Sequence, residues 1–222
     1  SPYSASMLRR SLLYLSNQPR VFKLVRRNGF AKRFASRFVA GETLDSAIDA
    51  VRALNARKIT VSLDLLGESV TSEPEARAAA QEYVVMLDRI HQEKLDANVS
   101  VKLTQMGLDL DEELCVETMQ SILSRARDYQ TFVRLDMEGS AYTDRTLRMF
   151  EDRLYPNFRE NVGIVLQSYL YRTSADVERA ILLKCRVRLC KGAYKEPASV
   201  AYPDKKDVDA NYVRCMEKLV QD

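Results

Sequence analysis

The sequence predicts an α/β protein in which a parallel sheet alternates with helices. Its 222 residues are 46% hydrophobic and 29% charged, which is typical of a globular chain that buries a sizeable core. From residue 58 onward, short β-branched runs alternate with longer helical segments, which is the pattern of repeated βαβ units. The 7 glycines and 6 prolines are too few for a glycine-punctuated all-β sandwich. No apolar run approaches the roughly 20 residues of a membrane helix.

A helical arm is predicted over residues 1–57, ahead of the sheet. Three phenylalanines recur at the spacing of one helical face, and they are Phe30, Phe34 and Phe38. A further helix is predicted over residues 44–57, with Thr43 as the side chain that caps its first turn. An aromatic stripe of this kind is typical of helix packing rather than of a cofactor site.

This arm is strongly basic. Residues 1–40 hold nine of the 34 lysines and arginines and no acidic residue. Charge runs usually face water, so a solvated amphipathic arm is the main interpretation. The alternative is an arm that meets an acidic partner or anionic lipid, which would place the protein peripherally at the inner membrane. Nucleic-acid binding is disfavoured, because no interleaved basic and aromatic motif accompanies the charge.

The cysteines and the histidine indicate no metal centre. Cys115, Cys185, Cys190 and Cys215 form no C-x-x-C pair, and His91 is the only histidine. We therefore expect no metal site. Unpaired thiols without a secretory signal fit a reducing, cytoplasmic compartment. His91 falls in the helix between the first two strands, away from the strand ends, and is interpreted as structural.

Five strands, each followed by a helix, make up the predicted βα units. The strands are expected over residues 59–66, 98–103, 132–137, 162–167 and 187–191. The helices are expected to begin near Ser72, Asp111, Thr143, Ser174 and Asp207. Two architectures fit this order, a doubly wound open sheet and a (β/α)8 barrel. The sequence contains no G-x-G-x-x-G turn and no Walker A motif, which disfavours dinucleotide-binding Rossmann and P-loop folds.

Each predicted strand finishes in a polar or charged residue after apolar neighbours. In strand order these residues are Glu68, Lys102, Asp136, Gln167 and Arg188, with Lys191 shortly after the last. Such side chains are costly inside a parallel sheet unless they are paired or used, and barrel active sites lie at the carboxyl ends of strands. A structural polar network would explain any one of them. Five in succession favour a site for an anionic ligand and a polar cofactor.

Five stretches of the chain resemble the strand motifs of proline dehydrogenases. The resemblance is closest to the monofunctional bacterial branch and more distant to the bifunctional proline-utilisation flavoenzymes. The stretches are VSLDLLGES, NVSVKLTQMGLDLD, FVRLDMEGSAYTDRT, VGIVLQSYLYRT and VRLCKGAYKEP, within a resemblance that covers residues 30 to 222. It implies a distorted (β/α)8 barrel that binds FAD and oxidises L-proline to Δ1-pyrroline-5-carboxylate, the first step of proline catabolism. It also implies that electrons pass to a membrane quinone.

The same resemblance implies roles for individual residues. Asp136 and Arg188 are implied to be catalytic, with Arg188 beside the flavin N5, where it would steady the reduced ring. The residues implied to bind the cofactor are Met137, Gln167, Arg188, Lys191, Gly192 and Ala193. The residues implied to lie at the substrate are Lys102, Glu68 and Tyr194, and Lys102 would hold the proline carboxylate. A guanidinium beside developing negative charge and an ammonium beside a carboxylate suit these roles physically.

The sequence departs from the family pattern in its extent. A closed barrel needs eight strands, whereas five are predicted over residues 58–222. We expect a piece of a longer protein. The alternatives are completion by a second chain and a truncated, non-catalytic flavin-binding or assembly module, and homo-oligomer formation stays open. A Schiff-base aldolase that uses Lys102 or Lys191 is a weaker interpretation, because it leaves Arg188 and Gln167 without a role.

Overall fold

A computed structural model describes residues 43–67 and 69–221 of the chain. The chain divides into two compact units, Ser1–Arg57 and Lys58–Asp222. The division into a helical arm over residues 1–57 and a barrel domain over residues 58–222 stays a prediction. The basic segment and the phenylalanine stripe of the arm lie outside the described residues.

The described part of the first unit is one helix, α1 (Leu44–Asn55). Thr43 caps it as predicted, because its side-chain oxygen accepts from the Ser46 N–H at 3.3 Å. Ser46 Oγ in turn accepts from the Thr43 N–H at 3.2 Å. This reciprocal pair satisfies two of the N–H groups that have no partner within a helix. The helix therefore begins where the sequence predicts and ends two residues before the predicted end.

The second unit alternates strands and helices throughout. Its elements in chain order are β1 (Val61–Asp64), α2 (Glu73–Gln92), β2 (Ala97–Val101), a 3₁₀ helix (Leu103–Met106), α3 (Glu112–Asp128), β3 (Val133–Leu135), α4 (Ser140–Met149), a π-helix (Phe150–Leu154), α5 (Tyr155–Phe158), β4 (Val162–Gln167), α6 (Thr173–Leu183), β5 (Arg186–Cys190) and α7 (Lys205–Gln221). In residues 43–67 and 69–221, no helix is both long enough and apolar enough to cross a lipid bilayer.

The five strands form one parallel sheet in the order β1-β2-β3-β4-β5. A doubly wound sheet would reverse its strand order at a switch point. Here each strand instead pairs with the next strand along the chain. The arrangement is that of a half-barrel, so the barrel prediction is confirmed and the open doubly wound alternative is wrong.

The two faces of the sheet differ in chemistry. Leu63, Val99 and Val133 lie side by side in the register and are almost fully buried. The next position along each strand points to the opposite face. That face carries polar side chains, among them Asp64 and Arg134. The helices cover the apolar face, and the polar face holds the residues predicted to form the site.

Several boundaries differ from the sequence prediction. Helix α4 begins at Ser140, and Thr143, its predicted start, is buried inside the helix. The reason is that its first turn is capped by the carboxylate of Glu196, which is 56 residues away in the sequence. A local capping signal cannot reveal such a partner. Strand β1 is shorter than predicted and ends at Asp64.

Candidate active site

Lys102 and Asp64 form an ion pair where β1 and β2 end. Asp64 is the last residue of β1 and Lys102 follows the last residue of β2, so parallel pairing brings them to one edge. The Lys102 ammonium donates to Asp64 Oδ2 at 2.8 Å. Burial alone would lower the pKa of Lys102, but the hydrogen bond and charge of Asp64, with the charge of Asp136, raise it overall. Lys102 is therefore a fixed positive charge at this edge.

Hydrogen bonds from two buried side chains, Tyr83 and Gln105, fix the turn after β1. Tyr83 of α2 is fully buried, and its hydroxyl donates to Asp64 Oδ1 at 3.1 Å while it accepts from the Leu65 N–H at 3.2 Å. The Gln105 Nε2 donates to the Leu65 carbonyl at 3.0 Å. A Cβ on Gly67 would lie 2.7 Å from that same Nε2, so glycine allows the close approach. These contacts position the Asp64 carboxylate.

A second ion pair joins β3 to β5. Asp136 follows the last residue of β3, and the Arg188 guanidinium of β5 donates to its Oδ1. Asp136 is 15% exposed, whereas Arg188 is 42% exposed. Burial raises the pKa of Asp136 above its ordinary value, and the positive charge of Arg188 only partly offsets that effect. The pair places one guanidinium and one carboxylate at the centre of the polar face.

Two more arginines lie on the polar face. The Arg134 and Arg186 guanidiniums lie 5.3 and 5.0 Å from the centre of the Phe132 ring, within the range of cation–π attraction. The ring packs onto Gly163, where a Cβ would lie 2.7 Å from Phe132 Cζ. Burial and the neighbouring Arg188 charge lower the pKa of Arg134. The Phe132 ring thus packs close to two cationic side chains, Arg134 and Arg186.

Gln167 and Glu138 are buried beside the ion pairs. The Gln167 Nε2 donates to the Glu138 carbonyl at 2.8 Å, which fixes the amide and leaves Oε1 as its acceptor. The Glu138 carboxylate accepts from the Thr104 hydroxyl at 2.5 Å and from the Thr104 N–H at 3.3 Å. Burial raises the pKa of Glu138 despite these bonds. Met137, between Asp136 and Glu138, is also buried.

A pocket of about 380 Å³ opens at this edge of the sheet. Its lining residues are Gly67, Ser69, Lys102, Thr104, Glu138 and Tyr194. Tyr194 comes from the loop after β5 and is 45% exposed. The pocket therefore combines residues that follow β1, β2, β3 and β5, with an ammonium and a buried carboxyl group in its wall.

The three residues after β5 are placed differently from one another. Lys191 turns toward α7, where its ammonium donates to Asp209 Oδ1 at 2.6 Å, and it is half exposed. Gly192 has φ +103° and packs against the Tyr169 ring, which a Cβ would approach to 2.4 Å. Only glycine fits this combination of backbone and contact. Ala193 is exposed.

The structure brings most of the predicted site residues to one edge. Asp136 lies within electrostatic range of Lys102 and Arg188, and Gln167 is buried nearby through its bond to the Glu138 carbonyl. Lys191 is directed toward Asp209 of α7. Glu68 lies outside the described residues. The individual roles of the predicted site residues stay predictions.

Sequence reasoning missed two residues of this site. Asp64 was available as a signal, because it is the one charged residue within the first apolar run. Glu138 comes two residues after Asp136, and the sequence contains no sign that its side chain turns toward Thr104. His91, by contrast, stacks on Tyr129 with ring centres 3.9 Å apart, as expected of a structural residue.

The comparisons with known proteins agree on one family. The family model described as proline dehydrogenase matches residues 47–222. Proline dehydrogenase 1 of Bacillus subtilis subsp. natto is 40% identical over 206 residues, which are 93% of this chain and 67% of that protein. Proline dehydrogenase of Deinococcus radiodurans is 39% identical over 211 residues, which are 94% of this chain and 67% of that protein.

A solved structure shares the fold. The crystal structure of proline utilization A (PutA) from Bdellovibrio bacteriovorus, inactivated by N-propargylglycine, superimposes with a TM-score of 0.77 at 26% identity. The match covers 86% of this chain and 24% of that chain. The chain thus spans about two thirds of the length of its curated relatives and about a quarter of PutA. The higher identity to the shorter dehydrogenases supports the monofunctional bacterial type, and the chain belongs to the proline dehydrogenase family of enzymes, which oxidise proline.

Proposed function

We propose that the protein containing this chain oxidises L-proline to Δ1-pyrroline-5-carboxylate at the carboxyl edge of the sheet, with FAD as the hydride acceptor. The observation that carries the proposal is the convergence of Lys102, Asp136 and Arg188 at that edge, in a chain of this family. One strand supplies each residue, so the sheet itself sets their spacing. The chemistry of the edge then decides what it binds.

Lys102 is suited to bind the carboxylate of the substrate. Its ammonium has three donors, and Asp64 accepts one of them. The raised pKa keeps the ammonium charged at neutral pH. The pocket beside it is large enough for a small amino acid and has Tyr194 and Glu138 in its wall. Lys102 therefore orients the substrate by its negatively charged end.

The donor set fits a flavin. Arg188 is partly exposed and donates to Asp136 through one of its five N–H groups, which leaves donors for a ring that gains negative charge. Gln167 presents Oε1 from a fixed, buried amide. Arg188, Gln167 and Met137 would hold the ring, and the loop Lys191–Ala193 would contact the rest of the cofactor. When bound, FAD supplies the acceptor for the substrate hydride, which no side chain can provide.

The aldolase interpretation fits the structure less well. A Schiff-base lysine needs a lowered pKa, so that its amine is free to attack a carbonyl. The pKa of Lys102 is raised instead, because Asp64 outweighs burial. Lys191 is paired with Asp209 and lies toward α7 rather than in the pocket. The family match also favours an enzyme over a non-catalytic flavin-binding or assembly module.

Two finer parts of the proposal concern the electron acceptor and the location. We propose that electrons pass from the flavin to a membrane quinone, and that the protein is cytoplasmic and lies peripherally at the inner membrane. The basic segment of residues 1–40 would then meet anionic headgroups, since it carries nine cationic side chains and no acid. Binding of the full-length protein to anionic but not neutral vesicles, lost at high salt, tests this contact.

The main test uses the purified full-length protein. We expect a yellow protein with flavin absorbance that reduces an electron-accepting dye when L-proline is added and not when D-proline is added. Product trapping with an amine that captures cyclic imines identifies Δ1-pyrroline-5-carboxylate. A colourless protein that takes up no FAD on reconstitution contradicts the proposal.

A further inference from the structure

The loop that follows β5, residues 191–197, carries several of the residues that contact substrate or cofactor in the proposed function. Tyr194 in this loop lines the pocket with Lys102 and Glu138. Most of the loop is exposed and lies outside any regular helix or strand. Something must therefore hold it in place if Tyr194 is to keep its position.

Glu196 anchors this loop to another part of the site. Its Oε1 accepts from the Ser140 N–H at 2.7 Å, and its Oε2 accepts from the Ser140 hydroxyl. Ser140 is the first residue of α4, which directly follows the β3 end with Asp136 and Glu138. The two bonds therefore tie the loop after β5 to the residues that follow β3, across the intervening strand β4.

The first turn of α4 lacks a cap of its own. Its N-cap residue is Gly139, which has no side chain, and its first turn contains no acidic residue. The first N–H groups of a helix need acceptors, and a carboxylate there also interacts favourably with the helix dipole. Glu196, from a distant part of the chain, supplies both the acceptor oxygens and the negative charge. Burial acts to raise the pKa of Glu196, but the hydrogen bonds from Ser140 and Tyr169 together outweigh it, so the pKa is lowered.

Tyr169 holds the same loop at its other end. The Tyr169 N–H donates to the Lys191 carbonyl at 2.9 Å, and its ring packs closely onto Gly192. The Tyr169 hydroxyl also donates to Glu196 Oε1 at 3.4 Å. The loop is thus held by contacts at residues 191–192 and by hydrogen bonds at Glu196, and Tyr194 lies between these two points in the sequence.

We propose that Glu196 is a positioning residue, which keeps Tyr194 and the loop 191–197 against the pocket by capping helix α4. This inference rests on the proposed function, because it assigns the loop a part in proline and flavin binding. Glu196 touches neither Lys102 nor Arg188 among the contacts of the described residues. Its effect on the reaction would therefore be indirect, through the position of Tyr194.

The test compares Glu196→Ala with Asp111→Ala in the full-length protein. Asp111 caps α3 through a 2.8 Å bond from the Leu114 N–H, so both variants remove one carboxylate from a helix N-terminus. Only Glu196 also holds the loop. We expect Glu196→Ala to raise the KM for proline and the dissociation constant of FAD at least fivefold, with kcat within twofold. We expect Asp111→Ala to change neither constant.

Hydrogen exchange gives a second readout, which does not depend on activity. Amides of residues 191–197 should exchange faster in Glu196→Ala than in the wild type, and at the wild-type rate in Asp111→Ala. Glu196→Gln keeps one acceptor oxygen and should restore part of the protection and of the affinity. Ser140→Ala, which keeps the backbone N–H donor, should give an intermediate effect if Glu196→Ala fails to fold.

The outcomes separate this inference from the proposed function. A wild-type protein that retains no flavin and does not oxidise proline overturns the proposed function, and the inference with it. An active wild type whose Glu196→Ala variant keeps normal KM, flavin affinity and loop protection overturns the inference alone. Faster loop exchange with an unchanged KM and flavin affinity also overturns it, because the bond would then have only a structural role.

Discussion

Lys102 donates to Asp64 at 2.8 Å, so the ammonium predicted to hold the substrate carboxylate already has a carboxylate partner. The ion pair is accessible to other ligands, since both side chains keep partial contact with solvent. Asp64 therefore has two effects on binding. It keeps Lys102 charged, and it offers the ammonium an acceptor that competes with the substrate. Single substitutions at Asp64 and at Lys102 test these two effects separately.

Asp64→Asn should lower the pKa of Lys102. The carboxylate provides the hydrogen bond and the charge that outweigh burial, and a neutral amide supplies much less of both. A lower pKa leaves more free amine at mildly alkaline pH, so an amine-acylating reagent should label Lys102 faster. Mass spectrometry of the labelled peptides measures the rate. Lys191, paired with Asp209, serves as an internal control in the same sample, and equal labelling of Lys102 in both proteins contradicts the prediction.

Lys102→Ala should raise the KM for proline at least tenfold and reduce kcat less. An interaction that holds the substrate carboxylate equally before and during the reaction contributes to binding rather than to the chemical step. A tenfold loss corresponds to about 1.4 kcal/mol of binding free energy. Steady-state kinetics with a dye acceptor measure both constants. Lys205→Ala, which removes an exposed ammonium beside Asp209, is the control and should keep both constants unchanged.

The regular part of the fold was predictable because hydrophobic pattern determines it. Strand β4 matches its predicted range, since all six of its residues are buried and its run is apolar up to the final Gln167. Strand β1 was predicted too long, because the flanking apolar residues Ile59 and Leu66 resemble strand residues but are exposed. Apolar character alone does not show where pairing with the neighbouring strand ends.

The site was predictable as a set of strand-end residues but not as a set of contacts. The edge that gathers Lys102, Asp136 and Arg188 follows from parallel pairing. The partner of Lys102 and the cap of α4 come from residues far away in the sequence, Asp64 and Glu196. The Asp64 pairing depends on the register of β1 against β2, and the Glu196 pairing depends on how the loop after β5 folds, so hydrophobic periodicity alone reveals neither of them.

Arg188→Met should leave the fold intact and slow flavin reduction at least tenfold, about 1.4 kcal/mol in the barrier. The side chain keeps similar bulk, but it loses the charge that pairs with Asp136 and would stabilise a reduced ring. Stopped-flow absorbance under anaerobic conditions measures the reduction rate, and circular dichroism checks the fold. Arg186→Met is the matched change on the same strand face, and it should reduce flavin at the wild-type rate. A wild-type rate in Arg188→Met shows that the assigned role is wrong.

Gly163→Ala should destabilise the protein by about 1–3 kcal/mol, the usual cost of overpacking a core. Its Cβ would lie 2.5 Å from the Arg186 carbonyl oxygen and 2.7 Å from Phe132 Cζ, and the first of these is backbone held in the sheet. Urea unfolding measures the free energy. Gly139→Ala is the comparison, since its nearest contact would be an ordinary 3.4 Å. If both changes alter the free energy of unfolding equally, the close contacts at Gly163 do not destabilise the alanine variant and the prediction is wrong.

Glu138→Gln should change the pH dependence of stability in a defined direction. Burial raises the folded-state pKa of Glu138 above its unfolded value, so its favourable contribution is fully present below the unfolded pKa and is lost as pH rises through the folded pKa. Glutamine does not titrate, so Glu138→Gln should gain stability relative to the wild type as pH rises across that window. Urea unfolding at a series of pH values measures the difference.

Glu113→Gln should change the pH dependence of stability in the opposite direction. Bonds and charge from Arg153 lower the pKa of the exposed Glu113 carboxyl, so its contribution is present above the unfolded pKa and is lost as pH falls through the folded pKa. Relative to the wild type, Glu113→Gln should therefore lose stability as pH rises, by a small amount because the pair is exposed. If the Glu138→Gln difference is flat with pH, or slopes the same way as that of Glu113→Gln, the buried carboxyl does not titrate above its ordinary range.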